Sequence, residues 1–513
     1  MSRREVSNVK ILAFYGDDLV QVDLPENTRI LKAPPPLPAL EDYREAVRRA
    51  LRDPIGCPPL ASMVKPGFRV TVAFDDPCLP LPPPIRDPRT TAVEVVLEEL
   101  FTHGVERERV TLVCANGLHR KWTPRELRRV LGKRVWSAMG PHRVTNHDAE
   151  DPHGVVDLGR TENGYPVAVN RLLTESDLAI YVNVNWTSMN GGWKSYMVGL
   201  GTYRSIRAHH DPGVLVEGGT VMDPTSRFHR IMSEQGKHLA RHANLFSVET
   251  VLDNRVWPFP LDRLLSLSRT RVPLPFRVSR RLPDALKSVA ASMLRSAYRP
   301  VAVFAGHPGE VHPRTLEVLL RQQNVRVERQ FDALFLSLPN ISPYAAYSRM
   351  NPLLVANSAL GYVFNMHIRR PLVRPGGVLV LMQPFRPGFH PRHHLPYIEF
   401  YERVLAETLD PREMERSFEE DFARRDEYLR AYRFGYSYHG VHPFYVWYWC
   451  GIGLRQLGRV IVVGARDVSV VRRLGFDSAP SLETAWKMAE ELLGRGFSLA
   501  HMSLPPIFAA ELA

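Results

Sequence analysis

An apolar run over Lys10–Tyr15 and a partly alternating stretch over Leu19–Leu24, on either side of Gly16-Asp17-Asp18, predict two strands joined by a turn. A proline-rich stretch from Ala33 to Pro38 leads into a one-sided apolar pattern from Leu40 to Arg52, a helix. Short apolar runs then predict strands at Arg69–Phe74, Val110–Cys114, Val155–Gly159, Asp177–Asn183 and Leu245–Leu252. Helical patterns fall between them at Thr90–Gly104, Pro124–Leu131 and Phe228–Asn244. Thr123 is a good N-cap for the second of these, with Pro124 at the first helical position. A stretch rich in Pro and Arg, Arg271–Pro283, reads as a domain boundary. Beyond it the alternation resumes with Asp284–Ala297, Pro300–Ala305, Thr315–Gln322, Phe331–Leu338, Asn357–Ile368, Gly376–Met382, Val460–Gly464 and Ser481–Leu493. Strands alternating with helices predict an α/β fold. The expected division is a domain over 1–275 and a second α/β domain over 276–513, the latter with a mostly helical insertion around 383–440.

At 513 residues the chain is too long for one ordinary core, which agrees with two domains. A hydrophobic content of 44% and a charged content of 23% are those of a soluble globular protein, and no apolar run is long enough to span a membrane. The start, Met-Ser-Arg-Arg, precedes only a short apolar segment that meets Asp17-Asp18, so no signal peptide is expected. Cys57, Cys78, Cys114 and Cys450 are scattered without paired spacing, which fits a reducing cytoplasm. The net charge of +12 comes from dispersed arginines with acidic residues between them, so we expect no nucleic-acid partner and assign part of the charge to anionic ligands.

Charge matters more in its detail. The chain holds nine lysines against fifty-seven arginines, and one of those lysines, Lys194, follows a glycine pair in Gly191-Gly192-Trp193-Lys194-Ser195. Lysine, unlike arginine, deprotonates near neutral pH and acts as an amine nucleophile. Read alone, the motif is a solvated loop; it is a poor phosphate loop, because Trp193 stands where that motif needs glycine. Asp75-Asp76 ends a strand, where open α/β sheets bind ligands and where Asp also favours turns. His119 lies in a strand-to-helix loop at the same edge.

These stretches together resemble the lactate racemase family, which carries a nickel-pincer nucleotide. The resemblance rests on Asp53-Pro54-Ile55-Gly56-Cys57-Pro58, Asp75-Asp76, Gly117-Leu118-His119-Arg120, Asn146-His147-Asp148, the Gly191-Gly192-Trp193-Lys194-Ser195 run and His210, sixteen residues beyond Lys194. It implies an isomerase, a racemase or epimerase with its active site in the cleft between two α/β domains. It implies a thioamide tether of the cofactor to Lys194, nickel ligation by His210, acid/base chemistry at His119, and cofactor contacts from Asp76, Gly191, Gly192 and Ser195. The implied chemistry moves hydride between a hydroxylated substrate and the cofactor ring. Implied partners are a small-molecule substrate and the proteins that mature the cofactor, with no membrane.

Two positions depart from the family. Leu79 stands where an arginine holds the substrate carboxylate, with Cys78 in place of Thr. Val184 stands where a second catalytic histidine sits, ten residues before the lysine. His209 and His147 are candidate replacements for the second acid/base, and Arg86 or Arg89 for the carboxylate anchor. The expected substrate is therefore a larger or less anionic hydroxy compound than lactate. A cofactor- or metal-binding homologue without turnover is the alternative, and a nucleic-acid-binding accessory protein a remoter one.

Overall fold

The computed structural model describes residues 9–267 and 271–512, so the expectation resting on Met1–Arg4 lies outside the described residues. The fold is α/β. One six-stranded sheet has the spatial order Pro300–Gly306, Leu245–Leu252, Leu178–Asn185, Val70–Asp75, Val110–Ala115, Val144–Asn146. Its strands are parallel except Pro300–Gly306, which runs antiparallel to its neighbour. Leu178–Asn185 and Leu245–Leu252 are buried at every residue, as strands covered on both faces must be. That is why they read as apolar runs rather than as alternation.

A second six-stranded sheet is parallel throughout, in the order Asp477–Ala479, Leu457–Val463, Val373–Met382, Phe331–Ser337, Leu499–Ser503, Thr28–Lys32. The two sheets exchange strands: Thr28–Lys32 closes the second, and Pro300–Gly306 closes the first, where Ala305 O also accepts from Ile55 N–H at 2.8 Å. Sheet membership therefore does not follow the expected boundary at 275/276. The hairpin Val9–Tyr15 with Asp18–Leu24 stands apart as a two-stranded antiparallel sheet.

Helix limits follow their caps. The first helix begins at Tyr43 rather than Leu40, because the Asp42 side chain accepts from Glu45 N–H. The Thr123–Glu126 capping box opens the helix Pro124–Met139, which continues past Leu131 through a break at Gly132 (φ 75°) because Val135 and Met139 remain buried. Asn357–Val363 is a wide helical turn growing out of Pro352–Ala356, its Asn357 amide donating to Val446 O at 2.9 Å.

The chain between Val373–Met382 and Leu457–Val463 is mostly helical from Leu395 to Gln456. It is tied to the helix Tyr203–His210 through Glu419, which is 0% exposed. The carboxylate accepts from Tyr448 Oη at 2.9 Å, Tyr203 Oη at 3.2 Å and Arg207 Nε at 3.1 Å. Burial nevertheless pushes the Glu419 carboxyl up to about 7. Its folded value lies above its unfolded one, so the neutral acid favours folding at low pH, and that stability is lost as pH rises through about 4.3–7. Between pH 5 and pH 8, wild type should lose about 2–3 kcal/mol relative to Glu419→Gln. Parallel urea curves whose separation does not change with pH would reject this.

Candidate active site

The carboxyl ends of three adjacent strands of the first sheet open onto one pocket. From Val70–Asp75 come Asp75, Asp76, Cys78 and Leu79; from Val110–Ala115 comes the loop carrying His119; from Leu178–Asn185 comes the turn to Gly191, Lys194 and Ser195. His210, at the end of the helix Tyr203–His210, completes that side. The facing wall combines Tyr344 and Tyr362 with His442, Tyr445 and Trp449 from the helical segment. Ligand groups thus gather at the sheet edge where parallel α/β folds place them.

His119 Nδ1 lies 2.8 Å from Asp76 Oδ2 and 3.5 Å from Cys78 Sγ. The same Asp76 oxygen accepts from Trp122 Nε1–H at 3.1 Å, and Oδ1 from Cys78 N–H at 3.3 Å. Burial works to raise the Asp76 carboxyl, but His119 and these donors together hold it below its usual range. An ionised Asp76 places the imidazole proton on Nδ1 and leaves the Nε2 lone pair for the pocket. Arg120, next in the chain, is 0% exposed and structural: it pairs with Glu126 at 2.7 Å and lies over the Trp122 ring.

Asp75 faces inward. It accepts from Tyr181 Oη at 3.0 Å and from Val184 N–H at 2.8 Å, and burial raises it to about 6. Val184 contributes only this amide, since its side chain is core.

Lys194 sits in the first turn of the helix Gly192–Met197 rather than in a loop. Trp193 docks this helix on Gly236, where a Cβ would come within 2.3 Å of the indole, so glycine is needed for the approach. Lys194 has no hydrogen-bond or ion-pair partner among the described residues, and burial lowers its amine below the usual lysine range. The glycine pair is required by crowding. Gly191 (φ 88°) and Gly192 (φ 56°) are left-handed, and a Cβ on Gly192 would lie 2.5 Å from His312 Cδ2. Gly192 N–H donates to Glu249 Oε1 at 2.7 Å, and Glu249 Oε2 holds His312 Nδ1 at 3.0 Å. Gly191 lines the pocket and Gly192 does not; Gly192 shapes the turn from behind. Gly192→Ala should lower stability by about 1–3 kcal/mol through overpacking and strain, read as a shift in urea midpoint. Ser195 Oγ accepts from Asn183 Nδ2 at 3.1 Å.

His210 Nδ1 lies 3.2 Å from Ile206 O and 2.8 Å from His209 Nδ1, while its Nε2 has no partner among the described residues. Burial first, then the nearby Lys194 charge, push His210 down to about 3, so it is a neutral imidazole at physiological pH.

Neither proposed replacement histidine reaches the pocket. His147 is 0% exposed, with Nε2 on Gly201 O at 2.9 Å and Nδ1 accepting from Asn170. His209 is equally buried, packed edge-on to Phe228. The histidine that does arrive is His442, whose Nδ1 lies 2.5 Å from Tyr397 Oη and whose ring is 5.2 Å from that of His119. Burial holds it well below its ordinary range. No local signal marks it: it comes from a helix more than three hundred residues beyond His119. The arginine substitutes fail as well. Arg89 turns into the protein, and Arg86 is exposed and does not line the pocket; among the described residues no arginine does.

Residues 15–222 match the family model of the lactate racemase N-terminal domain. The lactate racemase of Lactiplantibacillus plantarum is 25% identical over 219 residues, 41% of this chain and 48% of that protein. The lactate racemase of Thermoanaerobacterium thermosaccharolyticum is 24% identical over 170 residues, 32% of this chain and 38% of that protein. The matching stretches thus span about half, or less, of these curated relatives. The lactate racemase apoprotein structure from T. thermosaccharolyticum superposes with a TM-score of 0.65 at 17% identity, over 98% of this chain and 100% of that one. A Thermotoga maritima protein gives 0.53 at 14% identity, over 92% and 98%. At these identities the structural likeness speaks for the fold alone. Among the described residues no helix is long and apolar enough to cross a membrane. Residues 15–222 thus carry a divergent lactate racemase N-terminal domain, and the chain as a whole shares the α/β fold of the lactate racemase apoprotein.

Proposed function

We propose that this protein is a racemase- or epimerase-like enzyme acting on a hydroxylated substrate with a nickel-pincer nucleotide held by Lys194 and His210. The observation that carries this is a half-buried, unpartnered lysine amine in the same pocket as an unpartnered, neutral histidine Nε2. The donor set fits such a cofactor: an amine of lowered basicity suits covalent attachment, and a neutral imidazole suits nickel. When bound, the cofactor supplies a hydride acceptor at the substrate carbon.

The chain's own residues do the rest. His119, oriented by Asp76, takes the alcohol proton at Nε2. His442, oriented by Tyr397, supplies a second imidazole in a pocket whose family position, Val184, offers none. Tyr344 and Tyr362 narrow the pocket on the facing side, their hydroxyls 3.1 Å apart and bonded to each other.

The substrate is larger or less anionic than lactate. A small 2-hydroxy acid is gripped by its carboxylate, and among the described residues the pocket offers Leu79 and no arginine fork. After maturation, both lactate enantiomers should turn over poorly beside larger 2-hydroxy acids and polyols; efficient interconversion of the lactates would contradict this.

Leu79 and the core position of Val184 favour a second reading, a homologue that holds the cofactor without turnover. The deciding measurement is intact mass and metal content of protein expressed with cofactor-maturation proteins. A nucleotide adduct should appear on wild type and vanish in Lys194→Ala, and His210→Ala should lose nickel more than His119→Ala does. No adduct on the wild type would reject the proposal. An adduct without conversion of any hydroxy compound would select the second reading.

A further inference from the structure

Cys78 has no part in the chemistry above, yet its thiol faces the catalytic pair. Asp76, Cys78 and His119 bring three ligand atoms within 4.8 Å of one another, one each of oxygen, sulfur and nitrogen. We infer that these three side chains form a binding site for a soft divalent cation of the zinc type, separate from Lys194 and His210.

The geometry is close to what such an ion requires. In tetrahedral zinc sites, bond lengths of about 2.0–2.3 Å put neighbouring ligand atoms about 3.3–3.6 Å apart. The His119 Nδ1 to Cys78 Sγ separation is already 3.5 Å, and the Nδ1 to Asp76 Oδ2 separation of 2.8 Å needs to open by only about 0.5 Å. The carboxylate is held from behind by Trp122 Nε1–H and Cys78 N–H, the kind of support that orients metal ligands. Asp76 and Cys78 are buried, whereas the His119 side chain is 25% exposed, and all three line the pocket. A fourth position is thus open to water. Thiolate with imidazole selects zinc or cobalt over magnesium or calcium.

The charges and protons balance. Cys78 Sγ–H gives its proton to solvent as the sulfur–metal bond forms, Asp76 is already ionised, and His119 binds through the Nδ1 lone pair. Two negative ligands neutralise the dication. Metal on Nδ1 moves the ring proton to Nε2, the opposite tautomer from the one that the Asp76 hydrogen bond imposes. The cation and proton exchange at His119 therefore exclude each other, and zinc would act as an inhibitor.

The test is a cobalt(II) chloride titration of the full-length protein made without cofactor-maturation proteins, so that its outcome does not depend on the Lys194 adduct. We expect a near-ultraviolet sulfur-to-cobalt charge-transfer band saturating at one cobalt per chain, release of about one proton, and displacement by zinc. Cys78→Ser should abolish the band, Asp76→Asn should weaken binding about tenfold or more, and Cys57→Ser should leave it intact. Circular dichroism checks that each variant is folded. No band in folded wild type, or a band that survives Cys78→Ser or depends on Cys57, would overturn the inference.

Discussion

His119→Ala should lower turnover of the matured protein by about a hundredfold or more, the usual effect of removing a general acid/base. Metal and adduct should be retained, because the proposed holders of the cofactor are Lys194 and His210, while His119 is held by Asp76 for proton exchange. Asp76→Asn tests the same pair from behind. The carboxylate holds Nδ1 at 2.8 Å and fixes the proton there; a neutral amide can accept or donate, so the tautomer is no longer imposed. Its turnover should fall with the cofactor still loaded, and its rate–pH profile should shift, which loss of fold would not produce. Normal rates in His119→Ala would move the chemistry to another group, with His442 the next candidate.

The largest effect on stability should come from Arg89→Ala, at about 3–5 kcal/mol, the range for stripping one partner from a buried ion pair. Arg89 is 2% exposed. Its Nη1 donates to Asp75 O at 2.9 Å and Asp76 O at 2.6 Å, while Nε and Nη2 grip both oxygens of Asp87 at 2.9 and 2.6 Å. Asp87 in turn caps the helix Pro88–Thr102. Truncation leaves two carbonyls and a carboxylate without their donor and loosens the turn that carries Asp75 and Asp76. Lysine restores one point charge but not the planar fork, so Arg89→Lys should recover less than half of the loss. Urea unfolding with an unchanged m-value measures it; a loss below about 1 kcal/mol would show that water replaces the guanidinium.

Much of the strand and helix alternation was legible because each element carries its own pattern and cap: the buried runs at Val110–Ala115 and Leu245–Leu252, and the Thr123–Glu126 box. The pairing of His119 with Asp76 was half-legible. Both residues follow strands that could be recognised, and parallel neighbours bring their carboxyl ends side by side. The fate of the arginines was not legible: Arg89 looked free to reach a substrate, but helix Pro88–Thr102 begins at its neighbour and turns it inward.

By itself the sequence determined the local matters: an α/β alternation, a rare lysine beside two glycines, a histidine at a fixed interval beyond it, and two empty family positions at Leu79 and Val184. Each depends on residues close in the chain or on one spacing. Tertiary structure alone decided that Thr28–Lys32 and Pro300–Gly306 trade sheets, that Gly192 packs against His312 and donates to Glu249, and that His442, held by Tyr397, joins the pocket beside His119. These contacts join residues tens to hundreds of positions apart. Burial and packing select them, and no local pattern of polar and apolar residues encodes which distant side chain arrives.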